Sequence, residues 1–216
     1  MEVFSLKKVL QKALKKVLGK ILKRNLKYAA LACVVALPVV LLQGCIGVFA
    51  LGTAAGVSVA NDSRTTGTIV EDQSIEFKVS DLLVGDDELN EKTHINVTSY
   101  NNVVLLSGEA PTAILRERAA KLTQQVEKVK WVQNEIVVAS SSTGAQRRHD
   151  AWLTTKIKSM LLKDSGLDAV RVKVVTESSV VFLLGLLTRA EADTVVDIVR
   201  HVDGVKRVVK MFEYQD

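Results

Sequence analysis

Val103-Val104-Leu105-Leu106-Ser107-Gly108 and Val180-Val181-Phe182-Leu183-Leu184-Gly185 stand 77 residues apart and read as one segment written twice. The likeness extends in both directions. Upstream, Ile95-Asn96-Val97-Thr98 matches Val172-Lys173-Val174-Val175. Downstream, after a one-residue adjustment near Pro111, Val126-Glu127-Lys128-Val129-Lys130-Trp131-Val132 matches Val202-Asp203-Gly204-Val205-Lys206-Arg207-Val208. Such self-similarity means two copies of one small fold. Each copy reads helix, strand, strand, helix, strand. Alternation in Ile95/Val97 and in Val172/Val174 marks half-buried strands. Asn101-Asn102 and Ser178-Ser179 sit where a tight hairpin must turn. Gly108 and Gly185 end the second strand of each copy and read as backbone requirements. A valine at position 185 is expected to be costly if φ is positive there. Thr188-Arg189-Ala190-Glu191 is a capping box ahead of the stripe Val195, Ile198, Val199 and Val202. In the first copy Pro111 suits the first helical turn, ahead of Leu115, Ala119, Leu122 and Val126. Trp131 to Val138 and Val205 to Phe212 read as closing strands. The fold class is α+β, with two tandem units, each a three-stranded sheet packed on two helices in the order αββαβ. Each unit is expected to fold by itself.

The front of the chain differs in kind. Basic residues run from Lys7 to Lys27, with Leu and Val at the spacing of an amphipathic helix. An apolar run of about fifteen residues follows, Tyr28 to Leu42; a membrane span needs about twenty, and this length suits a signal h-region. The run leads into Leu41-Leu42-Gln43-Gly44-Cys45. That stretch resembles the bacterial lipobox, whose cysteine takes a diacylglycerol before the leader is removed; Gln43 is unusual in the motif. Residues 1–44 then read as a signal peptide and Cys45 as the lipidated residue. The other reading is an uncleaved inner-membrane anchor running to about Leu51, which Gln43 and Gly44 interrupt. Ile46 follows the cysteine, where inner-membrane retention in enteric bacteria usually needs Asp, so the outer membrane is expected.

The whole chain has a net charge of +5, which on its own would suggest nucleic acid. Nine of its 29 Lys and Arg and one of its 24 Asp and Glu precede residue 45, however, leaving 20 basic and 23 acidic residues. The case for nucleic acid lapses. Residues 62–146 carry 8 basic and 13 acidic residues, and residues 147–216 carry 12 and 10. The two halves have opposite signs, which suits docking on each other or on outside partners. Cys33 and Cys45 are the two cysteines. Once the leader is lost and Cys45 acylated, no thiol remains for a disulfide, a metal site or a nucleophile. Gly47, Gly52 and Gly56, with several Ala, read as a flexible tether over 45–73. The first unit is placed at 74–139, a polar linker at 140–149 and the second unit at 150–216.

Paired units with an apolar strand ending in Gly, a capped helix and a V-x-G-V-x-x-V closing segment resemble BON domains. Asp203-Gly204-Val205-Lys206-Arg207-Val208 matches that segment closely, while the first copy departs from it with Lys128 where the second has Gly204. Two such domains behind a lipobox are similar to the dual BON-domain outer-membrane lipoproteins of Gram-negative bacteria. The likeness runs from Leu41 to about Phe212. Its most specific pieces are Leu41–Cys45, Asn96-Val97-Thr98 and Trp152-Leu153-Thr154-Thr155-Lys156. The long basic front is not typical of the group.

No catalytic constellation stands out. His94, His149 and His201 have no spacing that suggests a metal or a relay, and no nucleophile motif holds the Ser and Asp residues. Asp86-Asp87-Glu88 reads as a solvated acidic turn after a helix. Neither an enzyme nor a cofactor is expected. One constellation remains. On a helix over 150–163, Leu153, Ile157, Met160 and Leu161 share a core face. Trp152, Lys156, Ser159 and Lys163 form the adjacent stripe. Tryptophan favours membrane interfaces, and lysines favour an anionic leaflet. From the residues alone, a Trp152 folded over the core edge with solvated lysines is an equal reading. The resemblance implies that this helix binds anionic phospholipids such as phosphatidylglycerol and cardiolipin. It also implies a role in envelope integrity, with enrichment at division sites. A periplasmic adaptor contacting the outer-membrane assembly machinery is the other function it allows.

Overall fold

The computed structural model describes residues 62–164 and 171–216. The leader, Cys45 and the tether as far as residue 61 lie outside the described residues. The first copy runs through helices α1 (Thr66–Gly85) and α2 (Asp87–Lys92), strands β1 (His94–Tyr100) and β2 (Val103–Ala110), helix α3 (Ala113–Gln124) and strand β3 (Trp131–Val138). The second runs through helix α4 (Gly144–Asp164), strands β4 (Val172–Glu177) and β5 (Val180–Leu187), helix α5 (Arg189–Arg200) and strand β6 (Arg207–Tyr214). Each sheet has its middle copy-strand in the centre, in the orders β1-β2-β3 and β4-β5-β6. The hairpin pairs are antiparallel, and the closing strands are parallel to the centre.

Local chemistry explains the shared pattern. Asn101, Asn102, Ser178 and Ser179 all have positive φ, as a two-residue hairpin with the sheet's own twist requires. Each turn is clamped from the first helix of its copy. The Asp72 carboxylate accepts the N–H groups of Asn101 and Asn102, both at 2.8 Å. Asp150 accepts those of Ser178 and Ser179 at 3.0 and 2.9 Å. The capping box at Thr188 and Glu191 is formed. In the first copy Thr112 is the cap, accepting from Leu115, so Pro111 lies before the helix rather than in its first turn.

Two cores follow from the alternation. Val104 and Leu106 pack on Ile75, Val79 and Leu115. Val181 and Leu183 pack on Leu153, Ile157 and Val195. The opposite faces of the two sheets are not left to water. Tyr100 and Leu105 of the first copy meet Phe182 and Leu184 of the second in a third buried cluster. Each such side chain contributes about 1.5–3 kcal/mol when fully buried. Polar bonds rim the cluster. Asn96 donates to Glu177 at 2.6 Å and Asn101 to Glu213 at 2.7 Å. Lys173 pairs with Glu76 at 2.7 Å and Arg207 with Glu135 at 3.3 Å. In both ion pairs the cation comes from the second copy and the carboxylate from the first, as the opposite charges of the halves suggest. Residues Gly56–Asp216 accordingly form one compact unit.

Several sequence expectations are corrected. Helix α1 begins at Thr66, inside the span read as tether, because Thr65 caps it through Thr68. Helix α4 begins at Gly144, inside the span read as linker, and the Ser142 N–H is held by Glu109 at 3.1 Å. Asp86 does not sit in an open acidic turn. It caps α2, and Arg118 bridges Asp86 and Glu88. The closing strand of the second copy is displaced to Arg207–Tyr214.

Candidate functional site

Helix α4 is positioned by Leu153, Ile157 and Leu161, each at most 1% exposed, which fix which face turns outward. Trp152 is on the outer side, with 53% of its surface exposed. Half exposure excludes a ring enclosed in the core and is compatible with one lying over the core edge. Lys156 reaches back over the indole, its Nζ 5.2 Å from the ring centroid, and lies 3.5 Å from the Asp203 carbonyl. The His149 ring centroid is 5.6 Å from that of Trp152. Ser159 and Lys163 are exposed. The structure therefore brings Trp152 and Lys156 together, with Lys163 further along the same side. Ser159 spends its hydroxyl on the Thr155 carbonyl at 2.9 Å, so it contributes a polar surface rather than a free donor.

Leu162, missed in the sequence, lies on the adjoining side of the helix, about 80° around it from Trp152. It is 68% exposed, about 15 Å along the helix from Trp152. The Leu161-Leu162 doublet was the available signal: with Leu161 in the core, its neighbour is turned about 100° away. The two matched helices also differ in charge. Helix α4 carries five basic and two acidic residues, whereas α1 carries one and four. The α4 face thus offers an aromatic and a leucine among cations, a combination suited to the boundary between hydrocarbon and anionic headgroups. Among the described residues no helix is long and apolar enough to cross a membrane. Nor do they contain a group of three or more His, Cys, Asp or Glu that could hold a metal ion.

The three glycines act through the backbone. Gly108 has φ +116°, and a Cβ there would stand 2.0 Å from the His94 carbonyl oxygen. Gly204 has φ +102°, and Lys128 at the matching position of the first copy also has positive φ. Gly185 is not left-handed; its limit is close approach, because a Cβ would lie 2.9 Å from the Arg171 carbonyl oxygen. Cys45 lies outside the described residues.

The BON domain family model matches residues 71–140 and 149–216. The chain belongs to the BON domain family. It is 40% identical over 177 residues to "Outer membrane lipoprotein DolP" of Haemophilus influenzae, covering 82% of this chain and 92% of that protein. It is 42% identical over 153 residues to a "21 kDa hemolysin" of Actinobacillus pleuropneumoniae, covering 71% and 79% of the two chains. "Osmotically-inducible protein Y" of Escherichia coli is 33% identical over 157 residues, covering 71% and 78%. The chain is thus a DolP-like protein with two BON domains, the first spanning α1 to β3 and the second α4 to β6.

Proposed function

We propose that this protein is a lipid-anchored component of the outer membrane, on its periplasmic face, that binds anionic phospholipid through α4 of the second BON domain. Phosphatidylglycerol and cardiolipin are the ligands. Binding supports envelope integrity and acts at division sites, and no catalysis is involved. The observation that carries the reading is the exposed Trp152 beside Lys156 and Lys163, with exposed Leu162 on the adjoining side of the helix. The relative named as an outer membrane lipoprotein supports the location, and acylation of Cys45 supplies the anchor. Acyl burial contributes about 0.8 kcal/mol per CH₂, so the anchor retains the protein while α4 selects lipid and orientation. Flotation of residues 56–216 with vesicles tests this. Recovery should rise with phosphatidylglycerol or cardiolipin content and stay low on neutral phosphatidylcholine. Equal recovery on both, or none on either, contradicts it.

A second reading, an adaptor contacting the outer-membrane assembly machinery or other envelope proteins, has its own observation. Val70, Phe77 and Val84 lie seven residues apart on α1, and Phe77 is 74% exposed. This apolar stripe belongs to the less basic helix, which suits a protein surface better than an anionic leaflet. Failure to float together with loss of partner binding in Phe77→Ser would favour it.

A further inference from the structure

Beside Trp152 the second domain has a cleft of about 330 Å³, lined by Gln146, His149, Asp150, Ser178, Ser179 and Lys206 among others. The first domain has the same framework with different side chains. Asp72 and Asp150 clamp their hairpins in the same way, which aligns Glu71 with His149, one residue before each. Lys130 and Lys206 likewise match: their N–H groups donate to the Asn102 and Ser179 carbonyls, each at 2.9 Å. In the first domain a pair of side chains reaches across the matching position. Lys128 Nζ stands 2.6 Å from Glu71 Oε1, and Asn102 donates to Glu71 Oε2 at 3.5 Å. In the second domain both members are replaced. His149 brings no carboxylate, and Gly204 brings no side chain where Lys128 stood. A Cβ on Gly204 would lie 3.6 Å from His149 Nε2, next to the opening.

The exchange removes one cation and one carboxylate together, so Lys206 is the charge that remains beside the cleft. Among the described residues the Lys206 ammonium has no hydrogen-bond or ion-pair partner. The carboxylate of Asp150 is engaged by two backbone N–H groups. Gln146 belongs to the first turn of α4, where the helix dipole is positive. The His149 ring, 5.6 Å from that of Trp152, joins the cleft to the exposed aromatic. We infer that this cleft receives the phosphodiester of an anionic phospholipid headgroup, held between Lys206 and His149, while Trp152 and Leu162 lie at the level of the glycerol and upper acyl carbons. The inference rests on the membrane reading above, because it places the cleft mouth at the headgroups. It assigns a headgroup pocket to the second domain and none to the first.

The direct test transplants the first domain's pair. His149→Glu with Gly204→Lys recreates the Glu71–Lys128 pair, adding one carboxylate and one cation. Vesicles of phosphatidylcholine with phosphatidylglycerol are the probe. Affinity should fall roughly fivefold or more, because the added pair keeps the phosphate from Lys206, a contact worth about one cation at an anionic leaflet. The lysine at Gly204 is strained, so Lys206→Gln is the second variant; its exposed side chain leaves folding intact, and it should weaken binding by a similar factor. Trp152→Ala separates the two proposals. If Trp152→Ala weakens binding while both cleft variants bind as the parent does, the cleft assignment is overturned and the membrane face stands. If none of the three weakens binding, both are overturned. Glycerol 3-phosphate in solution, followed by NMR at Lys206, distinguishes a free phosphate ligand. Saturation at or below the lipid concentration needed with vesicles would overturn the lipid assignment; weak, unsaturated shifts are expected.

Discussion

Phe182→Ala distinguishes a docked pair of domains from two independent ones. The side chain stands on the face of β5 turned away from its own helices. It is nevertheless 2% exposed, because Tyr100 and Leu105 of the first domain cover it together with Leu184. Truncating a buried Phe costs about 3–5 kcal/mol. On a solvent-facing sheet the same change would stay within about 0.5 kcal/mol. For a unit of this size each kcal/mol lowers the melting midpoint by about 2–4 °C, so a fall of about 6–20 °C is expected. Two reporters make the test specific. Trp131 belongs to the first domain and Trp152 to the second, and both rings are about half exposed. Trp131→Phe and Trp152→Phe therefore give two single-tryptophan proteins that follow each domain through urea unfolding. In the parent the two transitions should coincide, as one cooperative unit requires. Phe182→Ala should move both together. If the Trp131 transition stays in place while the Trp152 transition moves, the shared interface is refuted.

Three further outcomes are expected. Gly108→Ala should destabilise more than Gly185→Ala in thermal melts, since the first adds left-handed strain of about 1–2 kcal/mol to a 2.0 Å overlap and the second meets only a 2.9 Å approach. Burial between the sheets, with Glu109 and Asp150 nearby, raises the Glu177 carboxyl above its usual 4.5 despite the Asn96 bond. The folded state then holds this proton above pH 4.5, where the unfolded chain has lost it, so Glu177 favours folding below 4.5 and that contribution fades as pH rises through the raised value. Glu177→Gln should flatten the pH dependence of denaturation midpoints just above 4.5 and stabilise the protein at neutral pH; an unchanged slope would contradict this. Intact mass of the membrane-extracted protein should show a chain beginning at acylated Cys45, and Cys45→Ala should abolish the acyl mass; a product retaining Met1 would remove the anchor from the account.

What was legible in the sequence was local. The Asn101-Asn102 and Ser178-Ser179 turns, the Thr188 capping box and the Leu153/Ile157/Leu161 face each depend on residues a few positions apart, and each is formed. The docking of the domains was harder because it depends on contacts across more than 70 residues. A signal was present all the same: Val103 to Leu106 is apolar without alternation, which is how a strand covered on both faces reads. The clamps of Asp72 and Asp150 on their hairpins are also long-range, and neither aspartate stood out among the other acids. At the site, the helical stripe of Trp152, Lys156 and Lys163 was readable from angular position alone. The cleft was not, because it is lined by residues from α4, the β4–β5 turn and the segment before β6, which only the fold brings together.

In the proposed function α4 meets anionic lipid through exposed side chains. The most direct test pairs vesicle affinity with thermal stability for Trp152→Ala. Burying about 100 Å² of exposed indole at about 25 cal/mol per Å² is worth about 2.5 kcal/mol, so affinity for phosphatidylglycerol or cardiolipin vesicles should fall at least roughly tenfold. The ring is half exposed, so the melting temperature should stay within a few degrees of the parent. Undiminished affinity in a folded variant would contradict the account, and so would a loss of binding that appears only with the several-kcal/mol destabilisation of a truncated core tryptophan.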